Sequence, residues 1–157
     1  MDATLPAEAR SRLGRRPQSV LFACGHNVIR SPMAEAIGRY YFGRSIFFAS
    51  AGVRPGEPDP FVAGVLDEIG ISLGRHRPHS FEELEELEGL NFDLILTLAP
   101  EAHHRALELT RTLACEVEYW PTADPSLAGG NREQRLDAYR TLREGLIDRI
   151  TARLGNG

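Results

Sequence analysis

A cysteine and an arginine stand in a Cys-x5-Arg pattern within Cys24-Gly25-His26-Asn27-Val28-Ile29-Arg30-Ser31. Before it, Val20-Leu21-Phe22-Ala23 reads as a short buried strand. After it, Ser31-Pro32-Met33-Ala34-Glu35-Ala36 reads as the start of a helix. A thiol and a guanidinium so spaced, on a loop between strand and helix, can close around one tetrahedral oxyanion. The helix N-terminus offers unpaired amides and the positive end of the macrodipole, which bind anions and favour a thiolate, the nucleophilic form of cysteine. Arg30 adds a planar fork able to hold two phosphate oxygens at once. Ser31 is expected as the N-cap, with Pro32 at the first helical position. Ala34 stands where a capping box needs Glu or Gln, so the Ser31 hydroxyl is free to face Cys24. The chemistry that suits this pattern is phosphoryl transfer through cysteine. The plainer alternative is a small buried cysteine with no chemistry, and spacing alone divides the two about evenly.

The elements around the loop must place it at an edge where a ligand can enter. Ile46-Phe47-Phe48-Ala49-Ser50 reads as a second strand, Phe92 to Leu98 as a third and Cys115 to Tyr119 as a fourth. Between them, Val62, Val65, Leu66 and Ile69 have helical spacing with Gly70 as a stop. Phe81 to Leu87 reads as a short acidic helix and Pro100 to Leu113 as another. Leu136, Tyr139, Leu142, Leu146, Ile150 and Leu154 mark one face of a long last helix. This alternation predicts a three-layer α/β domain on a four-stranded parallel sheet. In such sheets ligands bind beyond the carboxyl ends of the strands. The Cys24 loop follows the first strand and Asp124 follows the fourth, so both can lie there.

Composition narrows the classes. The chain has 157 residues, enough for one domain with a full core, and a net charge of −4, which gives no global basic field for nucleic acid. It contains no apolar run of membrane-spanning length and no apolar signal core, so a cytoplasmic location without membrane attachment is expected. Two cysteines, Cys24 and Cys115, are not a disulfide framework, and Cys115 is expected as a packed strand residue. The five histidines lack metal-ligand spacing with cysteines, and His103 and His104 are expected on an exposed helix face. Residues 1–17 are polar and Arg-rich and read as an N-terminal extension with at most a short helical turn, leaving 18–157 as the domain. The oligomeric state is open.

The stretch from Val20 to Ala36 resembles the phosphate-binding loop of the low-molecular-weight protein tyrosine phosphatases, in which Cys-x5-Arg-Ser is followed by Pro-x-Ala-Glu. Cys24, Asn27, Arg30, Ser31, Pro32, Ala34 and Glu35 all stand in place. The resemblance continues through Ser50-Ala51-Gly52, through Gly70-Ile71-Ser72-Leu73 with His76 and Arg77, and to Asp124-Pro125. It implies a flavodoxin-like sheet with strand order 2-1-3-4. It also implies a phosphomonoester hydrolase that works through a cysteinyl-phosphate intermediate, without metal or cofactor, on a phosphotyrosyl protein or a small aryl phosphate. On that resemblance Cys24 is the nucleophile. Gly25, His26, Asn27, Val28, Ile29 and Arg30 hold the phosphate oxygens. Ser31, Ser50 and His76 support the loop, and Asn27 takes a left-handed conformation. Asp124 is the general acid and then the base; the plainer reading of Asp-Pro is a turn dipeptide.

The sequence also departs from the family. His26 stands where Gly is usual. Ile29 stands where many members carry a second cysteine, so no disulfide within the loop can protect Cys24 from irreversible oxidation. Ser126-Leu127-Ala128-Gly129-Gly130 supplies no aromatic wall after Asp124-Pro125, and Val28 favours phosphotyrosine over phosphoarginine, for which relatives carry Thr. Two rival functions follow. A thioredoxin-coupled arsenate reductase on the same fold needs resolving cysteines after the third strand; Ala99 stands where the first is expected, and only Cys115 follows. A non-catalytic phosphate- or phosphoprotein-binding module draws support from His26, Ile29 and the missing aromatics.

Overall fold

The structure, a computed structural model, describes residues 16–155. The predicted N-terminal extension thus lies almost wholly outside the described residues. The elements follow one another as β1 (Ser19–Cys24), α1 (Arg30–Phe42), β2 (Phe47–Gly52), α2 (Pro60–Asp67), α3 (Phe81–Glu88), β3 (Leu94–Thr97), α4 (Pro100–Leu109), β4 (Glu116–Tyr119), a 3-10 turn (Pro125–Leu127) and α5 (Arg132–Gly155). The four strands form one parallel sheet in the order β2-β1-β3-β4, the flavodoxin-like order that the resemblance implied. Among the described residues no helix is long and apolar enough to cross a membrane.

Central β1 explains its own sequence. Val20, Leu21, Phe22 and Ala23 are all fully buried, as an interior parallel strand covered on both faces requires. Val20, Phe22 and Cys24 face a core built from Met33 and Ile37 of α1, Val62 and Leu66 of α2, and Tyr139, Leu146 and Ile150 of α5. Leu21 and Ala23 face the opposite core, which contains Phe81 and Leu84 of α3 and Ala102 and Ala106 of α4. Burying a side chain such as Phe22 contributes about 1.5–3 kcal/mol. Its ring stacks on Phe48 at 6.0 Å between centroids. Gly38 lets that Phe48 ring approach α1, since a Cβ there would lie 2.7 Å from it.

Several ends differ from the sequence reading. β2 runs on to Gly52 because Ala51 and Gly52 continue the ladder against Ala23 and Cys24. β3 is shorter than expected, Leu94–Thr97. Helix α4 stops at Leu109 rather than Leu113; Thr110 turns its Oγ1 back onto the carbonyl of Ala106 at 2.7 Å.

Two polar ties fix α5, which follows the Asp124 loop. Tyr139 Oη donates to Asp59 Oδ2 at 2.6 Å. Arg140 and Arg143 converge on Glu68, and their hydrogen bonds hold its carboxyl down at about 2.

Candidate active site

Cys24 ends β1 and is buried, with Sγ 2.9 Å from Ser31 Oγ. Helix α1 begins two residues earlier than expected. Ile29 sits at the N-cap with no side-chain cap, and Ser31 is inside the first turn. The N-cap assigned to Ser31 is therefore corrected. Its oxygen accepts from Asn27 Nδ2 at 2.9 Å and so is engaged across the loop instead. When Cys24 is a thiolate the sulfur can only accept, so the Ser31 hydroxyl is then the donor of this contact and stabilises the anion.

Asn27 is the centre of the loop. It is fully buried and has φ 57°, the left-handed region expected for it. Its second amide hydrogen goes to Ser50 Oγ at 2.9 Å, and Ser50 in turn donates to Glu35 Oε1 at 2.5 Å. Glu35 Oε2 pairs with Arg39 at 2.5 Å. His79 N donates to Asn27 Oδ1 at 3.1 Å, and His76 Nε2 lies 3.0 Å from the Asn27 carbonyl oxygen. Burial pushes the His76 imidazole below its usual range despite the nearby Glu35 carboxylate. A neutral ring that donates Nε2–H to Asn27 satisfies that geometry. Ser50 and His76 thus both meet Asn27. Glu35 stood in the matched motif without a role of its own, and His79 was not singled out, because it reaches Asn27 from a distant segment and leaves no local pattern.

The other loop carbonyls are also tied outward. Gly25 O accepts from Val53 N at 2.8 Å and Arg54 N at 3.1 Å, and His26 O accepts from Gly56 N at 3.0 Å. Gly52 makes this possible: a Cβ there would come within 2.8 Å of Asn27 N and 2.9 Å of Gly25 O. Among the described residues, none of the amides of residues 25–29 donates to another backbone group. They form a set of donors suited to an oxyanion.

Asp124 caps the 3-10 turn, accepting from Ser126 N at 2.9 Å and Ser126 Oγ at 2.7 Å, both on Oδ1. Oδ2 has no protein hydrogen-bond partner among the described residues. The turn role and an exposed carboxyl oxygen therefore coexist in one residue. Arg30 Nη1 donates to the carbonyl of Thr122 at 2.8 Å. One cleft of about 560 Å3 brings together Cys24, His26, Val28, Ile29 and Arg30 with Asp124 and Ser126. Its remaining wall holds Glu57, Asp59, Phe61 and Arg135. An aromatic side chain does line the cleft, Phe61 from α2, which no spacing rule linked to the loop.

Two side readings are settled by position. His104 is exposed as expected, but His103 is half-buried; its Nδ1 lies 2.8 Å from Thr97 Oγ1 and its ring stacks on Tyr119 at 4.8 Å. Cys115 precedes β4, with its Sγ 3.3 Å from the Glu116 carbonyl, and burial pushes its thiol up to about 11. Val20 pairs with Leu94 and Leu94 with Glu116, so Cys24 and Cys115 lie at opposite ends of the sheet and two strands apart. Strand rise and spacing put them roughly 20 Å from each other. A disulfide needs Cα atoms within about 7 Å. Among the described residues no group of three or more His, Cys, Asp or Glu is placed to hold a metal ion.

The proteins described as low molecular weight phosphotyrosine protein phosphatase match this sequence over residues 19–140, from the start of β1 into α5. The chain belongs to that family. Among family relatives, it is 28% identical over 132 residues to an arsenate reductase of Shouchella clausii, covering 83% of this chain and 91% of the reductase. It is 32% identical over 124 residues to a low molecular weight protein-tyrosine-phosphatase of Streptomyces coelicolor, covering 71% and 73%. Among solved structures, the low molecular weight protein tyrosine phosphatase from T. tengcongensis superposes with a TM-score of 0.65 at 30% identity, over 87% of this chain and 99% of that one. The family thus holds cysteine enzymes with both names, and its fold is the one described above.

Proposed function

We propose that this protein is a phosphomonoester hydrolase acting through a cysteinyl-phosphate intermediate, with phosphotyrosyl proteins or aryl phosphates as substrates. The observation that carries this reading is the single cleft that Cys24, Arg30 and Asp124 share. The Cys24 thiolate, held by the Ser31 hydroxyl, attacks phosphorus in line with the ester oxygen. The free amides of the loop and the Arg30 fork bind the three equatorial oxygens, where charge must be stabilised in the transition state. Asp124 protonates the leaving oxygen through Oδ2. The sulfur–phosphorus bond formed in this step is broken in the next, when Asp124 takes a proton from water and the water attacks phosphorus. Inorganic phosphate leaves and the thiolate is restored. Neither step requires a metal or cofactor.

A second reading is arsenate reduction, favoured by the names of the relatives. Reducing arsenate takes two electrons, which a Cys24–arsenate adduct must draw from another thiol. Cys115 is out of disulfide range by the sheet register, so that thiol would be external.

The deciding experiment is para-nitrophenyl phosphate hydrolysis by wild type, Cys24→Ser and Asp124→Ala, with arsenate plus glutathione or thioredoxin assayed in parallel. Turnover of the ester that Cys24→Ser abolishes is the expected result. Arsenite production with no ester hydrolysis would replace the phosphatase reading with the reductase one.

A further inference from the structure

At the edge of the cleft lined by Phe61 and Arg135, two guanidinium groups lie against one ring. Arg132 Cζ is 5.1 Å and Arg135 Cζ 5.3 Å from the Phe61 centroid. Both belong to the first turns of α5, just beyond the Asp124 loop, and both are exposed. Phe61 itself is fixed, edge-to-face against Tyr139 at 5.2 Å, and Tyr139 is bonded to Asp59. The platform is therefore rigid.

Neither guanidinium has a carboxylate partner among the described residues. The contrast lies on the same helix: Arg140 and Arg143 both pair with Glu68, and Arg153 with Glu118. Asp59, two residues before Phe61, is engaged by neutral donors. Asp59 accepts from Phe61 N on Oδ1 and from Tyr139 on Oδ2. The α5 end is closed as well, since Asn131 and Gln134 cap each other's amides at 2.9 and 2.8 Å. Two side-chain cations without an ion-pair partner among the described residues thus meet on one ring, with Arg135 lining the same cleft as Cys24. Glu57, Asp59 and Asp124 also line this cleft, so the two arginines are the part of its surroundings on α5 that suits an anion.

We propose that Arg132 and Arg135, held on Phe61, receive a carboxylate that flanks the phosphorylated residue, so that this cleft selects acidic phosphopeptides. The proposal rests on the phosphatase reading for its substrate and deepens it. Arg suits the role because its planar group stacks on an aromatic ring and still presents in-plane donors to a carboxylate.

The test uses phosphotyrosyl peptides identical except for Glu, Gln or Lys beside the phosphotyrosine. The readout is the ratio of kcat/KM between them, which cancels any general loss of activity in a variant. Wild type is expected to favour Glu over Gln by about fivefold, through KM, with the ratio falling towards one at about 0.5 M salt. Arg132→Glu with Arg135→Glu should turn the preference towards Lys, and Arg132→Lys with Arg135→Lys should keep part of the original one. Thermal unfolding checks that each variant is folded. The same labelled peptides bound to Cys24→Ser, read by fluorescence anisotropy, give the ratio independently of turnover. Equal binding and equal kcat/KM for Glu and Gln peptides would overturn the proposal. An absence of Cys24-dependent hydrolysis would instead overturn the phosphatase reading, and the binding ratio would still decide the role of the two arginines.

Discussion

Arg30 Nη1 donates to the carbonyl oxygen of Thr122 at 2.8 Å, so the anion-binding side chain of one loop is held by the backbone of the other. The fork is thereby oriented before any phosphate arrives. Arg30→Lys retains the charge but loses the planar donors. It should lower kcat/KM for para-nitrophenyl phosphate by about 10²–10³-fold and weaken inhibition by inorganic phosphate in parallel. Steady-state kinetics with phosphate as competitor measure both.

Asp124 keeps one carboxyl oxygen on Ser126 and the other free. A proton donor matters most when the leaving group is poor. Asp124→Asn should therefore slow a simple alkyl phosphate by about 10²–10⁴-fold and para-nitrophenyl phosphate by clearly less. Equal losses on the two esters would assign Asp124 to the turn alone.

Removing the Ser31 hydroxyl leaves the Cys24 sulfur without its 2.9 Å partner. In Ser31→Ala, alkylation of Cys24 by iodoacetamide at neutral pH should slow by about tenfold, and kcat should fall by a similar factor. Mass spectrometry of timed samples follows the alkylation, and Cys115 serves as the internal slow thiol.

His76 gives a pH signature. Its folded value is pushed below the ordinary 6.5, chiefly by burial, so the folded protein binds a proton less readily than the unfolded chain. Stability from this group is complete above about pH 6.5. It declines as the pH falls below that, until the folded imidazole itself titrates. Glu35, Arg39 and His79 surround the ring and modulate the slope. Urea unfolding from pH 7.5 to 5.5 should show the decline in wild type and a flatter profile in His76→Gln.

Peroxide should inactivate the enzyme irreversibly. Ile29 occupies the place of a neighbouring thiol, and Cys115 sits across the sheet with its thiol raised to about 11. After strong peroxide treatment, dithiothreitol should restore little activity, and Cys24 should carry two or three added oxygens by mass. Full recovery would contradict this.

The sequence made the main architecture legible because its signals are local. Burial of Val20 to Ala23 and the helical spacing of Leu142, Leu146 and Ile150 each show within a short window. Strand order did not; it came from likeness of motifs, since periodicity says nothing about which strands neighbour. Ser31 was misplaced as a cap because a cap is judged from adjacent residues, while its real partners are Cys24 and Asn27. Phe61 and His79 were missed for the same reason: each comes to the site from a distant stretch of chain. His103 read as surface, yet Thr97 and Tyr119 draw its ring onto the edge of the sheet.

The side-chain amide of Asn27 donates twice. Both of its hydrogens point away, one to Ser31 and one to Ser50; Ser50 passes its own hydrogen to Glu35, and Ser31 offers its own to Cys24 when the sulfur is a thiolate. A relay needs each member to accept on one side and donate on the other. Asn27 donates in both directions, so what resembles a proton wire from Glu35 to the sulfur is broken at its midpoint. This chain of hydrogen bonds therefore carries no proton from Glu35 to the sulfur, whose open side is the cleft it lines.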